Sequence, residues 1–301
     1  MENGDISSLV YNYRTYLLLE KSLSRHSIEA YMDDVNKLLS YLYDINKHPQ
    51  EVVLDDLQKM TVVWREMGIN PRSQARIISG IRSFYHYLML EKKIENDPTE
   101  WLEFPKLGLK LPDFLTLDEI DKIISVIDLS QAEGQRNRAL IETLYSCGLR
   151  VSELIDLRFS NLYLDEGFIK VNGKGKKERL VPISQTAIKE IKLYLMDRHL
   201  IAVKKGYENV LFLSRRGTAL SRIMIFHLVK EYVAWSGIKK NVSPHTFRHS
   251  FATHLLEGGA NLRVIQAMLG HEKITTTEIY THLDRNFLRS EILEHHPRNK
   301  R

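Results

Sequence analysis

Positions 243–256 read SPHTFRHSFATHLL, three of the chain's twelve histidines gathered round one arginine. Histidines can ligate a metal, exchange protons or merely pack, and the residue between them decides among these. Ser243 is a good N-cap and Pro244 suits the first helical position, so His245 falls in the first turn and Arg248 three residues on, on nearly the same face. Phe247, Phe251 and Leu255 form the stripe that would hold this helix against a core. A helix N-terminus carries unpaired N–H groups and positive potential, and a phosphate is its natural guest. A metal at His245 and His249 is disfavoured: the sequence has no HExxH, Arg248 opposes a cation, and no nearby carboxylate pattern supplies a third ligand. His249 and His254 read as hydrogen-bonded structural residues. On this segment alone, His245 and Arg248 remain open to a reading as a polar structural pair.

Three other places hold chemistry-bearing residues. Downstream, GGANLRVIQAMLGHEKITTTEIYTHLD ends one helix at Gly258 and Gly259, caps the next with Asn261 and terminates it at Gly270, so His271 sits just past a helix end. Thr275 and Glu278 offer a capping box, with Tyr280 in the first turns that follow. Upstream, SCGLRVSEL puts Arg150 at a junction between helices after Gly148. NGKGKKE places Lys174 at the tip of a hairpin, from which a flexible amine reaches into a cleft; Lys176 and Lys177 are its rivals. Each has a bland alternative: a solvated surface for Arg150 and Lys174, an amphipathic aromatic for Tyr280. Their joint occurrence with His245, Arg248 and His271 points to chemistry on a phosphate.

The elements that must position these residues form two parts. Leu9, Tyr13, Tyr16 and Leu17 start a helical region at three- and four-residue spacing, and a second helix from Ser24 carries Ile28, Tyr31, Val35, Leu38, Leu39 and Leu42. A further stripe of Ile77, Ile81, Phe84, Tyr85 and Leu88 leaves Arg72, Arg76 and Arg82 outside it, either on phosphates or on a plain solvated face. NDPTEWLEFPKLGLKLP, with three prolines and broken periodicity, reads as a linker. The expected organisation is a helical domain over 1–105, a linker over 106–113 and a second domain over 114–301. The second part opens with the capping box Thr116 and Glu119, runs helical to Ser146, and changes period where Phe168–Val171 and Leu180–Ile183 flank the lysine-rich turn as a short hairpin or small sheet. The fold class expected is mainly α with a small β-sheet.

Composition bounds the partners. The first 110 residues hold 14 basic against 16 acidic residues and the remainder 29 against 22, so an anionic partner feels the second part more strongly. The lone Cys147 excludes an internal disulfide and a multi-cysteine zinc site, and reads as a small apolar residue. No leader-like N-terminus and no uninterrupted apolar run of about 18 residues is present, so a cytoplasmic protein without membrane insertion is expected.

With these motifs in view, the chain resembles the tyrosine recombinase (phage integrase) family, specifically the bacterial Xer recombinases. CGLRVSEL, VNGKGKKERLVP, SPHTFRHSFATHLLEGGANLRVIQAMLGH and ITTTEIYTH carry the resemblance, and the closing LEHHPR is nearer the XerD-type than the XerC-type subgroup. The resemblance implies a helical DNA-binding domain, a catalytic domain, and a site of Arg150, Lys174, His245, Arg248, His271 and Tyr280, with Tyr280 the nucleophile that forms a 3′-phosphotyrosyl bond. It implies no metal, no ATP and no other cofactor. Implied partners are double-stranded DNA carrying a specific recombination site, further copies of the chain with a second Xer-type recombinase in a tetramer, and a cell-division DNA translocase as activator. Exchange of C-terminal segments between neighbours and resolution of chromosome dimers at cell division belong to the same expectation. Arg72, Arg76, Arg82, Lys176 and Lys177 are the candidates for DNA phosphate contacts. An architectural protein with lost catalysis, a relaxing topoisomerase and a metal-dependent nuclease are the competing readings.

Overall fold

The computed structural model describes residues 3–106, 108, 113–173, 178–270 and 285–299. The chain divides into two compact units, Met1–Lys110 and Leu111–Arg301. Of the expected linker 106–113, residues 107 and 109–112 lie outside the described residues.

The first unit contains helices α1 (Asn3–Leu19), α2 (Arg25–Asp44), α3 (Leu54–Glu66) and α4 (Pro71–Leu90). Their boundaries follow from capping chemistry. The Ser24 hydroxyl accepts the Ser27 N–H at the start of α2, and the Asn70 side chain accepts the Arg72 N–H ahead of Pro71 at the start of α4. The expected stripes meet in one core: Tyr13, Leu17, Val35, Leu38, Ile77, Ile81, Phe84, Tyr85 and Leu88 are all buried. Helices α2 and α4 approach closely where Gly80 faces Asp34, a Cβ there falling 2.5 Å from Asp34 Oδ2.

The second unit is built round α6 (Gly134–Ser146), with α5 (Leu117–Ser125), α7 (Val151–Ile155), α8 (Gln185–Arg198), α9 (Arg222–Trp235), α10 (Pro244–Glu257), α11 (Leu262–Leu269) and α12 (Arg285–His295). Leu140, Ile141, Leu144 and Tyr145 of α6 are buried in a core shared with Phe247, Phe251 and Leu255 of α10. Strands β1 (Leu162–Tyr163), β2 (Phe168–Asn172) and β3 (Glu178–Pro182) form an antiparallel sheet in that order. Phe168 pairs with Pro182 and Asn172 with Glu178, so the lysine-rich stretch joins the two longer strands as expected. Strand β1 pairs Leu162 with Ile169 and adds an edge that the sequence does not signal, two residues being too few to establish a period of two. The protein is mainly α with this one small sheet among the described residues.

The segment 285–299 is fastened to the same unit. Arg298 is buried, with Nε donating to Glu142 Oε2 at 3.1 Å, Nη2 3.1 Å from Glu142 Oε1, Nη1 on Asp121, and the guanidinium 5.6 Å from the Tyr145 ring centre. The backbone joins in: the Thr186 hydroxyl donates to Arg298 O at 3.1 Å, and His295 Nδ1 is 2.7 Å from Gly258 O. No helix of the described residues is long and apolar enough to cross a membrane.

Candidate active site

Helix α6 ends at Ser146, and the chain reverses through Gly148, whose φ of +55° puts it in the left-handed region. A Cβ there would lie 2.4 Å from Phe251 Cδ1, so glycine is required both for the turn and for the approach of α10. That reversal delivers Arg150 to the N-cap of α7. Its backbone N–H donates to Glu153 Oε2 at 2.9 Å and its Nη1 to Glu153 Oε1 at 2.8 Å. Arg179 enters from β3 and grips the same carboxylate with both terminal nitrogens, Nη1 to Oε1 at 2.8 Å and Nη2 to Oε2 at 2.9 Å. Arg248 enters from α10, its Nη1 3.9 Å from Glu153 Oε2 and donating to Gly148 O at 2.7 Å.

The other side of this cluster is the C-terminus of α11. Arg179 Nε donates to Met268 O at 2.8 Å, Arg248 Nη2 donates to Leu269 O, and Arg150 Nη2 donates to Gly270 O at 3.0 Å. Three successive carbonyls at the negative end of a helix are thus each held by a different arginine, the arrangement a helix C-terminus favours. Gly270 closes α11 with φ +65°.

One carboxylate faces three guanidinium groups, so the cluster carries excess positive charge. Burial pushes the Arg248 guanidinium down to about 10, helped by the neighbouring positive charges of Arg150 and Arg179 and opposed by Glu153. For Glu153, burial pulls its carboxyl upward, but the Arg179 fork and the bonds from Arg150 outweigh it and hold it below the ordinary carboxylate range. Arg150 keeps 33% of its side-chain surface exposed, against 14% for Arg179 and 9% for Arg248. Arg150 is therefore the guanidinium of the cluster most open to solvent, and the net positive charge around it favours an anion.

Ser243 and Pro244 start α10 as the sequence predicts, with the Ser243 N–H donating to Thr246 Oγ1 at 3.0 Å. His245 is exposed in the first turn and Arg248 buried one turn on, so the two share a helix but not an environment. His254 is a packed residue, buried with Nδ1 2.8 Å from the Tyr145 hydroxyl, while His249 is half-buried. Lys174, Lys176, Lys177, His271 and Tyr280 lie outside the described residues.

The first unit's basic candidates fare unequally. Arg72 is exposed. Arg76 is taken up by Asp34, at 2.7 Å from Nη1 to Oδ2. Arg82 donates to Leu102 O and lies 4.4 Å from the centre of the Phe104 ring, which commits much of it to its own unit.

Glu153 and Arg179, the two groups that tie the cluster together, are not among the residues expected from the sequence. Both leave a signal. Glu153 stands three residues after Arg150 in a capping-box spacing, and Arg179 shares a strand face with buried Val181, where a charge demands a partner.

Two family models cover the chain: "Phage integrase family" matches residues 113–286, and "Phage integrase, N-terminal SAM-like domain" matches residues 10–92. The chain belongs to the phage integrase family. This integrase-family chain is 42% identical over 289 residues to the tyrosine recombinase XerD of Chlorobaculum tepidum, covering 95% of each chain. It is 40% identical over 297 residues to the tyrosine recombinase XerD of Listeria monocytogenes serovar 1/2a, covering 97% of this chain and all of that one. Among solved structures, the XerH site-specific recombinase bound to palindromic difH substrate, a post-cleavage complex, superposes with a TM-score of 0.69 at 25% identity, over 89% of this chain and 79% of that one. Tyrosine recombinase chemistry is the activity class of the family to which the chain belongs.

Proposed function

We propose that this protein is an XerD-type recombinase that cuts and rejoins DNA at a specific site, with Tyr280 as nucleophile. The observation that carries the reading is the gathering of Arg150 and Arg248, from two helices far apart in sequence, around one carboxylate and one helix end in a chain 42% identical to a tyrosine recombinase XerD. The XerH complex with its difH substrate supports duplex DNA as the ligand.

In the proposed reaction the Tyr280 oxygen bonds to a DNA phosphorus and the bond from phosphorus to the 5′-oxygen breaks. A tyrosine hydroxyl ordinarily titrates at about 10, so its proton must be managed as it attacks. His245, exposed at the start of α10, takes part in that proton transfer. Arg150 and Arg248 oppose the charge that grows on the non-bridging oxygens. Lys174 gives a proton to the departing 5′-oxygen, and His271 hydrogen-bonds the phosphate. The 3′-phosphotyrosyl ester conserves the energy of the broken bond, and a 5′-hydroxyl from the second duplex reverses the step. Side-chain cations do the electrostatic task throughout, so neither a metal nor ATP is required.

The biological reading is resolution of chromosome dimers at cell division in the cytoplasm, by a tetramer of this chain and a second Xer-type recombinase on two DNA sites, activated by a cell-division DNA translocase. The test uses nicked duplexes made from fragments of the source genome, incubated with the protein in EDTA. Adducts that survive detergent are recovered and their DNA sequenced. One recurrent joined sequence is expected, with Tyr280→Phe binding DNA but forming no adduct. Adducts scattered over unrelated sequences favour a relaxing topoisomerase, and cleavage that EDTA abolishes favours a metal-dependent nuclease.

A further inference from the structure

We propose that Arg179 is a positioning residue for strand cleavage: by filling half of the acceptor positions of Glu153 it limits Arg150 to one side-chain bond with that carboxylate and keeps Arg248 off it, leaving the rest of both guanidinium groups for a phosphate. This role rests on the recombinase reading above and adds a residue to it.

An ionised glutamate has about four acceptor positions. At Glu153 four bonds are made: Oε1 accepts from Arg150 Nη1 and Arg179 Nη1, and Oε2 accepts from Arg179 Nη2 and the Arg150 backbone N–H. Arg179 supplies half of them, in the two-pronged geometry that only a guanidinium offers. Arg248 Nη1 lies 3.9 Å from Oε2, within reach of the same anion. Without Arg179, a buried anion with two empty acceptor positions faces two arginines, and the Coulomb attraction turns both toward it. Arg150 is then drawn further onto Glu153, Arg248 joins it, and less of either is left for a phosphate.

A second contact widens the role. The Arg179 Nε bond to Met268 O ties β3 to the end of α11, whose next two carbonyls hold Arg248 and Arg150. One side chain therefore sets the spacing among the sheet, α7 and the α11 terminus. Gly270 leaves room for it, since a Cβ there would sit 3.2 Å from Arg179 Cζ. Arg179 itself is a poor phosphate ligand: Nε, Nη1 and Nη2 are each engaged by this chain's own oxygens, and 14% of the side chain is exposed. Lysine at this position keeps the charge but has one point of contact for three acceptors.

The experiment measures, for the full-length protein, single-turnover adduct formation at saturating DNA on a nicked duplex carrying the sequence to which the wild-type chain joins. Affinity for the same duplex is measured separately. Arg179→Met is expected to lower the adduct rate by about 100-fold, the effect of misplacing catalytic groups by about 1 Å, while binding is retained because no phosphate contact is removed. Arg179→Lys is expected to fall between the two. In a Glu153→Gln background, where the competing anion is gone, Arg179→Met is expected to cost little further. Should Arg179→Met lose its cooperative melt, Arg179→Lys carries the comparison. An unchanged adduct rate in both variants, or a loss of rate that follows a matching loss of DNA affinity, overturns the role of Arg179 alone. A wild-type chain that forms no adduct overturns the recombinase reading and this role with it.

Discussion

Replacing Glu153 by glutamine tests whether the arginine cluster is held by its central charge or merely crowded round it. The side chain is 3% exposed and takes three bonds from two guanidinium groups and one from a backbone N–H. Removing one partner of a buried ion pair costs about 3–5 kcal/mol, and glutamine, which keeps one acceptor oxygen, belongs at the low end, about 3 kcal/mol. For a unit of this size each kcal/mol moves the midpoint by about 2–4 °C, so the unfolding transition of the second unit should fall by about 6–12 °C at pH 7. The pH dependence has a fixed sign. Glu153 is depressed from its ordinary 4.5, so its stabilisation is complete above that value and is lost as pH falls through the lower folded value. Differential scanning calorimetry of the wild type and Glu153→Gln between pH 7 and pH 3 should show a gap that is constant down to about pH 5 and narrows below it. A gap under about 1 °C at pH 7, or one that widens on acidification, refutes the claim that Glu153 is the ionised centre of the cluster.

Three further outcomes follow from the same packing. Arg298→Ala strands Glu142, whose carboxyl burial already pushes upward, and should destabilise the second unit by about 3 kcal/mol, with faster hydrogen exchange over 285–299 than over α6. Gly148→Ala adds a left-handed penalty of about 1–2 kcal/mol to a clash with Phe251 of about 1–3 kcal/mol, and chemical denaturation should report a loss within that combined range. Burial pushes the Cys147 thiol well up, so iodoacetamide at pH 8 should leave it unlabelled in the folded protein and label it in urea, as mass spectrometry would show.

How much was legible in the sequence depended on how local the cause was. Ser24, Thr116, Asn261 and Pro244 start helices where their short-range chemistry says they should, and Gly148 and Gly270 end them with positive φ. The amphipathic stripes of α2 and α4 were readable for the same reason, since their period is set within one element. Pairing across the chain was not. Arg76 is exposed, as a solvated face requires, but nothing near it in sequence names Asp34 as its partner, and nothing near Arg82 names the Leu102 carbonyl. Arg179 was not legible because it follows a run of equally basic lysines, and its partner Glu153 lies 26 residues earlier on a different element. The arginine cap on Met268, Leu269 and Gly270 is likewise a product of tertiary packing. The helix start at Ser243 was legible, but the separation of exposed His245 from buried Arg248 was not, because burial depends on what α11 brings to the far side.

The central claim, that Tyr280 becomes joined to DNA, is tested most directly by locating the covalent bond. The wild-type adduct formed in EDTA is digested with nuclease and trypsin, and the nucleotide-bearing peptide is sequenced by tandem mass spectrometry. The account predicts a single modified peptide, ITTTEIYTHLDR, spanning 274–285, with the phosphate on Tyr280 and a free 5′-hydroxyl on the released strand. A nucleotide on any other residue, or a 5′-phosphate on the released strand, contradicts it.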